Sequence, residues 1–171
     1  MSIEHCFGNG TVIFELLSVD KFDALRELIR RAPVFGEIGN LDPLEDSVIR
    51  RERLQSTGLG HGVAVAHGRA AGVQRVLIGL GLSREGIPYA SPDGEPVRLL
   101  FVIASPPRVC LDYLQALSTL VRCLRDRSMR ESLLGGVDAE DIARHIREAF
   151  LNGLPRPADP VLGRPARGAA R

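Results

Sequence analysis

The chain has 171 residues and a mass of 18.6 kDa; it is 44% hydrophobic and 25% charged, with a formal net charge of +1 and a pI near 7.8. That length makes one ordinary domain able to bury very roughly two-thirds of its unfolded surface, so no metal or disulfide staple is needed to close a core. The near-neutral balance excludes a strongly basic nucleic-acid domain on bulk charge, and the longest apolar run, Leu99 to Ala104, is strand-sized, which argues against a membrane-spanning helix.

The first residues, Met1 to Cys6, show no charged-then-apolar leader pattern. Thr11 to Leu17 is rich enough in β-branched and aromatic residues for a strand. The spacing of Phe22, Leu25 and Ile29 predicts a helix over 19–32 with Asp20 as its N-cap. Gly36, Gly39 and Asn40 interrupt the chain. Asp42-Pro43-Leu44-Glu45 then reads as a helix start, with Asp42 as cap, Pro43 at the first helical position and Glu45 closing a capping box, running to about Leu54. Gln55 to Arg69 reads as a glycine-rich loop feeding a short apolar strand. Val76 to Leu82 and Val97 to Ala104 are two further strands, and the turn chemistry of Ser91-Pro92-Asp93-Gly94 between them predicts antiparallel pairing.

Two helices complete the pattern. Residues 109–126 carry Leu114, Leu117, Val121 and Leu124 at helical spacing; residues 138–150 carry Ile142, Ile146 and Phe150, with Asp138 as cap. The order β-α-α-β-β-β-α-α predicts an α/β fold, a mixed sheet with helices on its faces. Residues 151–171 hold four Pro, four Arg and no aromatic residue, a composition expected of a disordered tail. The folded part, 1–150, carries −2 and the tail +3. Three cysteines, Cys6, Cys110 and Cys123, make an odd count with no close pair, which predicts neither a disulfide framework nor a zinc site and fits a reducing cytoplasmic setting.

The segment from Arg51 to Arg69 carries the chemistry. It holds His61 and His67, six residues apart, among glycines 58, 60, 62 and 68. A strand ending in His-Gly can present imidazole to a partner, and the flanking glycines let a backbone or a phosphate approach closely. Neutral imidazole is a competent nucleophile toward phosphorus, and guanidinium groups can spread over phosphoryl oxygens, with Arg51, Arg53 and Arg69 as the candidates. Spacing alone leaves a hydrogen-bonded structural histidine and a catalytic one both open. No Cys, Asp or Glu lies between the two histidines to complete a metal set, and the segment lacks the Lys-Ser/Thr of a P-loop.

The stretch Arg51-Glu52 through Ser56-Thr57-Gly58-Leu59-Gly60 to Ala64-Val65-Ala66-His67-Gly68 resembles the signature of EIIA domains of the bacterial phosphotransferase system, in the branch of the fructose/mannitol and nitrogen-regulatory type. Asp93 to Val97 with Phe101 to Pro106 forms a second match, and Tyr113-Leu114-Gln115-Ala116-Leu117-Ser118-Thr119-Leu120 a third; together they cover roughly 10–150. The resemblance implies a mixed five-stranded sheet with helices on both faces. It implies that His67 accepts a phosphoryl group from a phosphorylated HPr-like carrier, making the chain a phosphohistidine phosphotransferase component, and that Arg51 contacts the phosphate. Thr57, Gly68, His61 and Tyr113 fall on supporting positions. No metal or organic cofactor is implied. The partners implied are the HPr-like carrier and either a regulated protein or an EIIB domain, with no nucleic acid and no membrane span.

Two positions depart from the family pattern. Ala66 replaces the proline before the active histidine, and Tyr113 replaces a helix histidine that lies beside it in transport members. The leading expectation is a phosphocarrier and regulator of the nitrogen-regulatory kind. The alternatives are a binding module that keeps the fold without phosphoryl transfer, and a sugar-transport EIIA serving a separate EIIB.

Overall fold

The apolar run at Leu99 to Ala104 is buried on both sides because it lies at the middle of the sheet. The computed structural model describes residues 3–108 and 111–155. In chain order it contains β1 (Val12–Ile13), α1 (Lys21–Arg31), α2 (Asp42–Leu54), β2 (Gly58–Gly60), β3 (Val63–Arg69), β4 (Leu77–Ile87), β5 (Val97–Ser105), α3 (Leu111–Arg125), α4 (Arg127–Leu134) and α5 (Ala139–Gly153), with single 3-10 turns at Ile3–His5 and Pro33–Glu37. The five strands form one mixed sheet in the order β1-β4-β5-β3-β2. β5 pairs antiparallel with β4 and parallel with β3, while β1 runs parallel to β4 and β2 antiparallel to β3.

The period-2 alternation of the strands splits the core into two layers. On one face Ala64, Ala66, Leu100 and Val102 meet Leu25, Leu28 and Ile29 of α1, Leu44 and Val48 of α2, and Phe35. On the other, Val63, Val65, Leu99, Phe101 and Ile103 meet Tyr113, Ala116 and Leu120 of α3 and Ile142, Ile146 and Phe150 of α5. Each fully buried Leu, Ile or Phe contributes about 1.5–3 kcal/mol. Helices therefore cover both faces of a mixed sheet, as the sequence pattern predicts; its five strands are the number the resemblance implies, one more than the pattern alone reads.

Local differences from the sequence reading have identifiable causes. β1 shrinks to two residues because the N–H groups of Leu17 and Ser18 donate to the Glu27 carboxylate instead of a strand. The predicted capping box at α2 does not form: Leu41 is the N-cap and makes no side-chain cap bond, the Asp42 N–H donates to Asn40 Oδ1, and Asp42 and Glu45 pair with Arg30 at 2.5 and 2.7 Å. Asp20 and Asp138 do cap α1 and α5, accepting from Phe22 and Asp23 and from Asp141.

In α3, Leu124 is buried but Leu114 is half exposed, and the inward stripe runs through Tyr113, Ala116, Thr119 and Leu120. A separate helix, α4, starts at Asp126, whose carboxylate caps Ser128 N–H; the polar run after it hides this element from a hydrophobic-period reading. β4 extends to Ile87 with a register shift between Leu82 and Ile87, and Gly58–Gly60 is a short strand rather than loop. α5 continues to Gly153, three residues into the predicted tail; residues 156–171, like positions 109–110 of the predicted helix and Cys110, lie outside the described residues. Cys6 is buried, and burial pushes its thiol up to about 12.

Candidate functional site

β3 changes neighbours along its length, and the change makes the site. Its first residues pair with β2, at Gly58 with Ala64 and Gly60 with Val63, and Val65 N–H donates to the Thr57 carbonyl. Beyond Val65, β2 has ended. The C-terminal part of β3 keeps β5 on one side, with His67 opposite Ile103, while α2 closes over the other. The Arg69 N–H that β2 would have accepted goes to Ser47 Oγ of α2 at 2.9 Å.

Gly68 lets α2 come that close. A Cβ there would stand 2.6 Å from Val48 Cγ2 and 2.9 Å from the Val48 nitrogen, so any side chain would push the helix off the strand. α2 in turn is tied to β2 by a buried polar cluster. Glu52, 2% exposed, accepts from Lys21 Nζ at 2.9 Å, from the Thr57 N–H at 3.0 Å and from the Thr57 hydroxyl. Tyr89 lies over Lys21 with 4.6 Å between ring centroid and Nζ, and its hydroxyl is 3.4 Å from Thr57 Oγ1. Burial, and then the Glu52 charge, push the Tyr89 hydroxyl far up. Thr57 is thus the joint through which α2, β2 and β3 hold one geometry.

His67 projects on the α3 side of the sheet, the face shared with Val65 and Ile103, and is half-buried. Its Nδ1 lies 3.4 Å from the Val65 carbonyl. A carbonyl can only accept, so this contact favours the tautomer with hydrogen on Nδ1 and a lone pair on Nε2. The imidazole pKa is held below its ordinary value of 6.5, chiefly by burial. The Val65 contact and Glu52 oppose that shift, while Arg51 and Arg69 reinforce it by disfavouring a second positive charge. The ring is therefore neutral and nucleophilic at neutral pH.

Arg51, in the last turn of α2, donates from Nη1 to the Gln55 carbonyl at 2.9 Å and acts electrostatically on both His67 and Tyr113. Tyr113 of α3 packs beside His67, ring centroids 5.8 Å apart and planes tilted by 47°; the contact is ring against ring, with no hydrogen bond from its hydroxyl to the imidazole. His67, Arg51, Tyr113, Gly68 and Thr57 are thus brought into one neighbourhood or its direct support.

His61 is not. It sits exposed at the β2–β3 turn with φ 55°, its N–H held by Asp93 Oδ2 at 2.7 Å. The four residue steps from Val63 to His67 alone span about 13 Å. Arg53 also points elsewhere, its guanidinium carbon 5.6 Å from the Phe22 ring centroid. Of the Lys21–Glu52–Thr57–Tyr89 cluster the sequence motif shows only Glu52 and Thr57; Lys21 and Tyr89 lie on other segments, and no local spacing links them to it. Among the described residues no three His, Cys, Asp or Glu side chains gather as a metal-binding set, and no helix is long and apolar enough to cross a membrane.

The family model described as "Phosphoenolpyruvate-dependent sugar phosphotransferase system, EIIA 2" matches residues 6–149. The chain belongs to this EIIA family. A nitrogen regulatory protein from Bradyrhizobium diazoefficiens is 32% identical over 123 residues, 71% of this chain and 79% of that protein. A fructose-specific EIIA component from Haloferax volcanii is 33% identical over 125 residues, 70% of this chain and 81% of its own length. The fructose-specific EIIABC component of Bacillus subtilis is 30% identical over 134 residues, and the matched part is only about a fifth (21%) of that longer relative.

Among solved structures, the nitrogen regulatory protein IIA-Ntr of Neisseria meningitidis superposes with a TM-score of 0.71 at 28% identity, covering 84% of this chain and 98% of that one. The Escherichia coli enzyme IIA mannitol, solved in complex with phosphorylated enzyme IIB mannitol, shares the fold with a TM-score of 0.67 at 20% identity over 82% of this chain and 96% of that one. The EIIA fold and family that the three sequence motifs imply are those of this chain.

Proposed function

We propose that this EIIA protein is a phosphocarrier and regulator of the nitrogen-regulatory kind, in which His67 Nε2 accepts a phosphoryl group from a phosphorylated HPr-like carrier. One observation carries the reading: a neutral, half-buried imidazole stands where β2 releases β3, its Nδ1 turned to the Val65 carbonyl and arginines on its own strand and on α2. The His67 lone pair attacks phosphorus in line. The P–N bond of the donor phosphohistidine breaks as the P–Nε2 bond forms, and the donor nitrogen keeps the bonding pair. Each ring retains its other N–H, so no proton changes hands. The protein contributes position and charge stabilisation.

Similarity to nitrogen regulatory proteins supports the regulatory assignment, with a protein partner whose affinity follows the phosphorylation state of His67. The relative solved with an EIIB domain supports an EIIB as the other partner class. The test is incubation with the general phosphotransferase proteins and labelled phosphoenolpyruvate. The expected result is acid-labile, alkali-stable label on wild type and none on His67→Ala; equal label on both overturns the proposal. A regulated partner's affinity should differ at least tenfold between the two states.

A further inference from the structure

Arg69 is the second residue past His67 on β3, so the two side chains leave the same face of the strand. Its backbone is fixed by Ser47, and its guanidinium carbon lies 5.5 Å from the centroid of the Tyr113 ring. That ring is also the one against which His67 rests. Every other arginine close to the imidazole has work elsewhere: Arg51 donates to the Gln55 carbonyl. The guanidinium of Arg69 takes part in no hydrogen bond or ion pair with the described residues, so all five of its donors are unspent.

An arginine held over an aromatic face by cation–π attraction spends none of its N–H donors on the ring and keeps them free to engage an anion. Resting on the proposal that His67 carries phosphate, we infer that Arg69, held over the Tyr113 ring by cation–π attraction, is a second phosphoryl-binding arginine that flanks the transferring group from the α3 side while Arg51 flanks it from α2. Tyr113 is then a positioning residue: it contributes a ring to orient a cation, and its hydroxyl is dispensable to that task. Two fixed charges on opposite sides of the phosphoryl oxygens stabilise both the transfer and the phosphohistidine formed.

The charged groups facing the imidazole are Arg51 and Glu52 from α2 and Arg69 from its own strand, with the neutral Tyr113 from α3. Removal of Arg69 therefore has a signature without any phosphate: the His67 pKa moves up, because one of the charges opposing protonation is gone.

The test uses the full chain and variants Arg69→Gln, Arg69→Lys, Tyr113→Leu and Tyr113→Phe. His67 is titrated by NMR, and its phosphorylation is timed with phosphoramidate, a small donor that needs no partner surface, and with the general phosphotransferase proteins. Arg69→Gln should raise the His67 pKa and slow phosphorylation by both donors at least about tenfold, below the roughly 10²–10³-fold loss that follows removal of a single preorganised oxyanion donor because Arg51 remains. Lysine at 69 should restore the pKa but not the full rate, because it keeps the charge and loses the fork. Phenylalanine at 113 should recover what leucine loses. An unchanged pKa in Arg69→Gln, or equal rates with both donors, overturns the inference. Wild-type protein that takes no label from either donor overturns the phosphocarrier proposal instead, while the titration still decides whether Arg69 acts on His67.

Discussion

Glu52→Gln isolates the cluster that holds α2 against the sheet. The change keeps the side-chain shape but removes the charge opposite Lys21, whose side chain is 16% exposed and whose ammonium lies 2.9 Å from Glu52 Oε1. It also replaces an all-acceptor group with one that presents an NH₂ to the Thr57 N–H and hydroxyl, two groups that now donate into the carboxylate. Removing one partner of a buried ion pair costs about 3–5 kcal/mol, because the other charge stays buried without compensation. A domain of this size is stable by about 5–15 kcal/mol, and at about 2–4 °C per kcal/mol the melting temperature should fall by roughly 6–20 °C. Thermal unfolding followed by circular dichroism, with urea denaturation for the free energy, measures this. The double variant Lys21→Met with Glu52→Gln should recover part of the loss, since the orphaned ammonium is gone. A single variant within about 1 kcal/mol of wild type refutes the argument that this carboxylate is a desolvated structural anchor.

Gly68→Ala should destabilise the fold by about 1–3 kcal/mol by overpacking, since the new Cβ meets the backbone nitrogen of Val48, and it should slow phosphorylation of His67 by displacing Arg51; urea melts and labelling rates check both. Ser105 ends β5 with a buried hydroxyl that has no hydrogen-bond partner among the described residues, so Ser105→Ala should be neutral or stabilising in the same melts, against the usual cost of losing a buried hydrogen bond. Because the folded His67 titrates below its unfolded value of 6.5, its contribution to stability is full above that pH and is lost as pH falls through the folded pKa. The acceptor rate should follow the same acid limb, and His67→Gln should remove that limb from the stability profile measured by urea melts between about pH 4 and 8.

The strands were legible where burial enforces a pattern. Val97 to Ala104 reads as a strand from the continuous apolar run Leu99 to Ala104, and that run is apolar throughout because both its faces are covered; Ser91 to Gly94 announces the antiparallel return of β4 into β5. Caps were legible where nothing competed: Asp20 and Asp138 hold their own helices, but Asp42 and Glu45 answer Arg30 of the neighbouring helix, a tertiary choice that no local rule contains. In α3 the leucine spacing pointed to a stripe that the fold leaves partly open, because Tyr113, Ala116 and Thr119 fit the layer beneath. His67 and Arg51 stood out through their motif. Arg69 was legible only as one of three arginines until the strand period put it on the face of His67 and the α3 ring came to meet it. His61 looked equivalent to His67 in spacing and is separated from it by the length of β3.

The central claim is that His67 Nε2 is the phosphoryl acceptor. Phosphorylating the chain with phosphoenolpyruvate and the general phosphotransferase proteins, then reading the product by phosphorus and proton NMR, tests it at the level of one atom. The account predicts a single phosphohistidine, at His67, substituted on Nε2 with hydrogen retained on Nδ1 toward Val65. Phosphate on Nδ1, on any other residue, or on none contradicts it.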